Sequence, residues 1–296
     1  MQAFTRCTSA IMLWLLFTMA LDLHTKAQSA TATLPNQSSS SAASKGDSEF
    51  AEAMEALKKG NFEEAVRLFR LSADLGNARA MEYLGVHYSK GVGVKQDYKQ
   101  AREWYERAAA AGNASAVYRL GTMYHVGEGV AQDYQKAREF YEKSMGMGST
   151  DAMVELGALY RDGRGVPQDY QQARVLFEKA AAQGNSHGLL SLADLYHTGR
   201  GVEQDFKKAK QLYEQAAAAG NANAMDGIGF LYEHGQGVPQ DYEQARQWYE
   251  KAVAAGSPCA MNNLARMYQS GHGVKPDQKQ AQQLFDKAKA IGTCGM

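Results

Sequence analysis

From residue 47 onward, apolar residues recur at spacings of three and four, the period of a helix with one buried face. Phe50, Ala53, Met54 and Leu57 open the series, and Phe62, Ala65, Phe69 and Ser72 continue it beyond a Gly60-Asn61 turn. The pattern then becomes regular. A small residue (Ala80, Ala116, Ala152, Gly188, Ala224, Ala260) is followed four positions on by Leu84, Leu120, Leu156, Leu192, Ile228 or Leu264. A second small residue follows directly (Gly85, Gly121, Gly157, Ala193, Gly229, Ala265). Three positions later comes a tyrosine in every copy: Tyr88, Tyr124, Tyr160, Tyr196, Tyr232 and Tyr268. A second stripe completes each copy, Ala101, Trp104, Tyr105 and Ala108 in one and Ala137, Phe140, Tyr141 and Ser144 in the next. Small residues let helices approach, and large rings fill the space beside them. The pattern predicts two antiparallel helices per copy.

The copies keep strict register. Gly76-Asn77 returns as Gly112-Asn113, Gly148-Ser149, Gly184-Asn185, Gly220-Asn221, Gly256-Ser257 and Gly292-Thr293, always 36 residues on. A fixed period of this length marks a tandem repeat. Six regular units result, 77–112, 113–148, 149–184, 185–220, 221–256 and 257–292, after a degenerate capping unit at 47–76 and before a tail at 293–296. Within each unit a G-x-G-V loop (Gly91-Val92-Gly93-Val94 in the first) separates the helices, its glycines suited to ending the first one. Asp97, Asp133, Asp169, Asp205, Asp241 and Asp277 follow where the second helix needs an N-cap. A catalytic group is needed once and a cap in every unit, so these carboxylates read as structural. Repeats of this kind stack into an all-α solenoid.

The segments A-x-x-x-L-G-x-x-Y, G-x-G-V-x-Q-D-Y and A-x-x-W/F-Y-x-K/R-A resemble the Sel-1-like repeat, a relative of the tetratricopeptide repeat. The resemblance covers residues 77–292, and 47–76 more loosely. It implies a right-handed superhelix of helix pairs and a role as an adaptor in assembly, signalling or host contact. The departures are Ala193 and Ala265 for glycine, Phe206 for tyrosine, and Gln278 for the aromatic. Of these, Gln278 is expected to weaken the packing of the last helix pair.

The N-terminus has a different character. Arg6 precedes an apolar run from Ile11 to Leu21, shorter than the roughly 20 residues a membrane span needs. Small residues near Thr25 and Ala27 follow. This is a signal-peptide pattern, with cleavage expected after Ala27. The mature protein is then secreted or periplasmic, with no membrane insertion. Residues 28–46, rich in Ser, Ala and Thr, are expected to form a flexible linker. Lys+Arg and Asp+Glu both total 32, and this balance argues against a nucleic-acid partner.

No cofactor or metal is called for. His87, His125, His187, His197, His234 and His272 fall at different repeat positions, except His125 and His197, which lie two units apart. Solvent-facing or turn roles are expected for them. Some relatives were linked to penicillin binding and labelled β-lactamases, so the resemblance leaves β-lactam or peptidoglycan-peptide binding, or hydrolysis, as the alternative function. No lysine here has a serine three residues before it, and no H-x-H-x-D, G-x-S-x-G or phosphate-loop motif occurs. The chain is therefore not expected to be an enzyme. Cys259 and Cys294 fall at neighbouring ends of the last hairpin, so a disulfide is expected there, with two free thiols as the alternative. Closing that loop would contribute roughly 3–4 kcal/mol in the chain-entropy model.

Binding is expected where the repeat leaves positions free. Counting from the marker glycine, positions 3, 7, 10 and 14 of each first helix share a stripe. Position 7 holds Tyr83, Arg119, Glu155, Ser191, Gly227 and Asn263, and position 10 holds Val86, Thr122, Ala158, Asp194, Phe230 and Arg266. Tyr83, Arg119, Glu155, Asp194, Phe230 and Arg266 are the expected contacts for a protein or peptide docked on the concave face. Aromatic and Arg side chains dominate such interfaces.

Overall fold

The computed structural model describes residues 37–292, which hold fourteen α-helices and no strand. They divide into two compact units, one ending at Asn113 and the other beginning at Ala114. The first contains α1 (Gln37–Lys58), α2 (Phe62–Asp74), α3 (Ala78–Lys90) and α4 (Tyr98–Ala110). The second contains α5 (Ala114–Val126), α6 (Tyr134–Gly146), α7 (Thr150–Asp162), α8 (Tyr170–Ala182), α9 (Ser186–Thr198), α10 (Phe206–Ala218), α11 (Ala222–His234), α12 (Tyr242–Ala254), α13 (Pro258–Ser270) and α14 (Gln278–Ile291). In both units each helix packs on its partner in the hairpin, and consecutive hairpins pack through the second helix of one and the first helix of the next. This is the all-α solenoid that the repeat pattern predicts.

The caps follow the 36-residue rule. All six aspartates sit at N-caps, and their side chains accept from amides of the first turn; Asp169 Oδ1 takes the Gln171 and Gln172 N–H groups, both at 2.9 Å. The same aspartate donates its own N–H to the repeat tyrosine, as Asp169 does to Tyr160 at 2.8 Å, and so closes the loop. The residue after the marker glycine has a function of its own. Asn185 caps α9 through the His187 and Gly188 amides, and its Nδ2 donates back to Thr150 and Asp151 of the preceding hairpin. One side chain thus starts a helix and ties two repeats.

Close approach explains the small residue before each repeat tyrosine's turn. A Cβ on Gly229 would lie 2.6 Å from the Tyr249 ring, which is fully buried against it. The half-buried loop valines Val166, Val202, Val238 and Val274 pack at the edges of the core clusters.

Two expectations change. The stretch 28–46 is not all linker: residues 37–46 begin α1, while 28–36 lie outside the described residues, as do the signal segment 1–27 and the tail 293–296. Gly46 is buried, and its carbonyl accepts the Ser72 hydroxyl at 2.6 Å. A glycine there brings α1 close enough to α2 for this bond, a long-range contact that low local hydrophobicity cannot reveal. Gln278 also needs a new account. In the other hairpins of the second unit, the residue at its position receives the next loop. A Cβ on Gly273 would meet the Tyr242 carbonyl oxygen at 2.7 Å, and the Tyr242 ring stacks on His272 at 4.7 Å. The Tyr170 and Tyr242 hydroxyls also accept from Gln168 and Gln240 of their own loops. In the last hairpin Pro276 replaces that glutamine just as Gln278 replaces the ring, and no further loop follows among the described residues. The two substitutions remove one interaction together, while Leu284 and Ala288 of α14 remain buried.

Candidate interaction face

The first helices of the second unit (α5, α7, α9, α11, α13) place their variable positions beside an aromatic of the second helix, buried in all but the last, where Phe285 is half-buried. That aromatic is Tyr141, Phe177, Tyr213, Tyr249 and Phe285 in turn. The Tyr213 hydroxyl donates to Asp194 at 2.6 Å, and the Tyr249 hydroxyl donates to Glu233 at 2.5 Å. Tyr141 lies 3.2 Å from His125 Nδ1, and Glu155 Oε2 lies 3.7 Å from the same nitrogen. Farther along, Asn263 donates to Asp226 at 2.9 Å, and Arg266 donates to the side-chain Oδ1 of Asn263 at 2.8 Å. Phe230 is half-buried, stacked on His234 at 4.0 Å and edge-on to His197 at 5.7 Å.

Desolvation governs the ionisation of this row. Burial raises the pKa of Asp194, against the Tyr213 hydrogen bond that lowers it. Burial likewise pushes Asp226 up to about 6 and raises Glu155. His125 is lowered, first by burial and then by Arg164, so its contact with Glu155 is between groups that both resist charging. The tyrosine hydroxyls are driven upward by burial and by the carboxylates they serve.

The six expected contacts are thus distributed unevenly. Asp194, Phe230, Glu155 and Arg266 belong to this row of the second unit. Arg119, on α5, lies over the Tyr118 ring at 5.8 Å. Tyr83 is in the first unit and half-buried, packed against Phe50 and Phe69 with ring centroids 5.4 and 5.1 Å away. Cys259 occupies the first turn of α13, and Cys294 lies outside the described residues. The histidines depart from expectation: His87 is 2% exposed, and His125 and His197 are half-buried among aromatic rings. Among the described residues, no group of three or more His, Cys, Asp or Glu side chains could hold a metal ion.

The tyrosine hydroxyls, Asp226 and Glu233 escape the variable positions 7 and 10, whereas Asn263 stands at position 7. A signal for the hydroxyls exists. The second-helix aromatic is tyrosine where positions 10 or 13 of the same unit offer His125, Asp194 or Glu233. It is phenylalanine where they offer Ala158 and Arg161, or Arg266 and Gln269.

A family model for the Sel1 repeat matches residues 55–77, 78–113, 114–148, 150–185, 186–221, 222–257 and 260–292. Among solved structures, the chain is similar to a Sel1 repeat protein from Oxalobacter formigenes at 35% identity and a TM-score of 0.72, over 81% of this chain and 99% of that one. It is also similar to c5321, described as a protective antigen present in uropathogenic Escherichia coli strains and displaying an SLR fold. There the identity is 36% and the TM-score 0.61, over 77% of this chain and 49% of that one, so this chain spans about half of c5321. An immunity protein from Pseudomonas aeruginosa, Pa5087, shares the fold at 24% identity and a TM-score of 0.55, over 72% of this chain and 81% of that one. No curated protein matches the chain.

Proposed function

This chain belongs to the Sel1-repeat family, whose members are generally non-enzymatic scaffolds for protein–protein interaction, and from that premise we propose that it is an exported adaptor. Its partner is a protein or peptide, held on the first-helix face of the second unit. One observation carries this reading. Asp194, Asp226 and Glu233 are half-buried and satisfied by neutral donors, with no ion pair to any of them among the described residues. Charged groups kept in desolvated positions at a cost are concentrated at functional sites. Phe230 beside them supplies the aromatic anchor typical of an interface.

The test is a pull-down with the chain from residue 28 onward, compared with Phe230→Ala, Arg119→Ala and Asp194→Asn, each checked for intact helicity. Loss of the same bound protein in Phe230→Ala and Asp194→Asn supports the face. A partner retained by all three variants assigns binding elsewhere.

Export rests on the Arg6, Ile11–Leu21 and Ala27 pattern, and is in keeping with the protective-antigen description of c5321. Cell fractionation tests it: the tagged chain recovered in the cytoplasm at full length would end that part of the proposal. The Cys259–Cys294 staple belongs to the same reading, and an intact mass unchanged by reduction would remove it. β-Lactam hydrolysis is not favoured, because no nucleophile pair of that chemistry is present in the sequence. Turnover of a chromogenic β-lactam by the purified chain would reverse this ranking.

A further inference from the structure

One core position breaks the repeat's own rule. Eleven residues after the marker glycine, the second unit holds Met123, Leu159, Leu195, Leu231 and Met267, all buried and at most 3% exposed. The equivalent residue in the first unit is His87, and it is buried as deeply, at 2%. Its Nδ1 lies 2.7 Å from the Val92 carbonyl oxygen. A carbonyl only accepts, so Nδ1 carries the proton and Nε2 is left with its lone pair. Nε2 is buried and has no hydrogen-bond partner among the described residues. The Phe69 ring lies 5.6 Å away. A neutral imidazole fits this site, whereas an imidazolium would bring a charge and an unpaired N–H into an apolar core.

The charged and titratable groups of the surrounding elements are engaged elsewhere. On α1, Glu55 pairs with Lys58, and Glu52 is exposed. On α2, Glu64 pairs with Arg67, and Arg70 donates to the Tyr88 hydroxyl. In the loop, Lys95 is exposed and Asp97 caps α4. On α4, Tyr105 packs on Gly85. On α3 itself, Glu82 accepts from Asn113, Lys90 is exposed, and Arg79 lies over Phe50. Burial alone lowers the ionisation of His87, with the Val92 carbonyl opposing it, and no charge enters the balance.

We propose that His87 makes the first unit an acid-sensitive element: protonation of its ring loosens α3 and the 91–97 loop and uncovers the Phe50–Phe69–Tyr83 aromatic cluster. The sign follows from linkage. The folded state disfavours the proton, so the stability His87 supports is present above its unfolded pKa of about 6.5 and is lost as pH falls through the depressed folded value. The five apolar counterparts have nothing to protonate, so the device is confined to the first unit.

Hydrogen exchange on the full chain at pH 7 and pH 5, corrected for intrinsic exchange rates, tests this in wild type and in His87→Leu. In wild type, protection of α3 and the 91–97 loop should fall at least tenfold on acidification relative to α9–α12. In His87→Leu, which installs the residue of three other repeats, that loss should disappear. Equal loss in both proteins overturns the proposal. If His87→Leu does not fold, the His87 ring signal in wild type, assigned with His87→Met, decides the matter by NMR. Titration with a midpoint well below 6.5 and accompanied by broadening of α3 signals sustains the proposal, and a midpoint at or above 6.5 overturns it.

Discussion

Two sets of carboxylates in the second unit, four on second helices and three on first helices, are held in opposite ways. On the second helices four acids have a basic residue one turn before them: Arg138–Glu142, Arg174–Glu178, Lys210–Glu214 and Arg246–Glu250, the last three pairs within 2.8 Å. The carboxylates of these pairs are exposed and their basic partners partly so, and such pairs contribute little to stability. On the first helices Asp194, Asp226 and Glu233 are half-buried and meet a tyrosine hydroxyl or an asparagine amide instead. One face neutralises itself, while the other holds desolvated charge that a partner could use. The contrast teaches that a solenoid with zero net charge can still divide its electrostatics between two sides.

The largest effect should come from the ring that sits between the two kinds of helix. Phe177→Ala empties a fully buried site beside Gly157 and should cost roughly 3–5 kcal/mol, read by urea denaturation. A cost below about 1 kcal/mol would mean that the two helix rows do not share a core. Next comes pH. Asp226 has its folded pKa raised from 3.8 to about 6, so its contribution is present below the unfolded pKa and is lost as pH rises through 6. At 1.36 kcal/mol per unit this is about 3 kcal/mol. Asp226→Asn should flatten the dependence of unfolding free energy on pH between about 4 and 6.5, and an unchanged slope would break the contrast.

Smaller changes sharpen it. Asp205→Ala removes the cap of α10 and should cost about 1 kcal/mol, measured by the same denaturation. Arg174→Ala, on the self-paired face, should stay within about 0.5 kcal/mol. A loss of 2 kcal/mol at Arg174 would show that the solvated pairs carry weight and that the two faces are not so different.

Much of the architecture is legible without coordinates. The marker glycines, the capping aspartates and the apolar stripes each report a local requirement, and all fall where the structure uses them. The candidate face is legible only in part. Variation at positions 7 and 10 points to Glu155, Asp194, Phe230 and Arg266, yet the same criterion places Tyr83 on a surface when it is packed in an aromatic cluster. His87 and Gln278 are misjudged for a related reason. Residue type suggests an exposed histidine and a weakened hairpin, whereas the neighbours show a buried ring and a position that receives no following loop among the described residues.

Helix period, N-caps, helix-ending glycines and the 36-residue spacing are all decided within a few residues of one another and can be read from the chain. These depend on backbone hydrogen bonds that close over three or four positions. The tertiary structure alone decided which polar groups lose their water and which partners they then find. Tyr213 and Asp194 are nineteen residues apart, and Asn263 and Asp226 thirty-seven. Whether such groups meet, and how far burial shifts their ionisation, depends on how one hairpin packs against the next, because desolvation is a property of the packed neighbourhood.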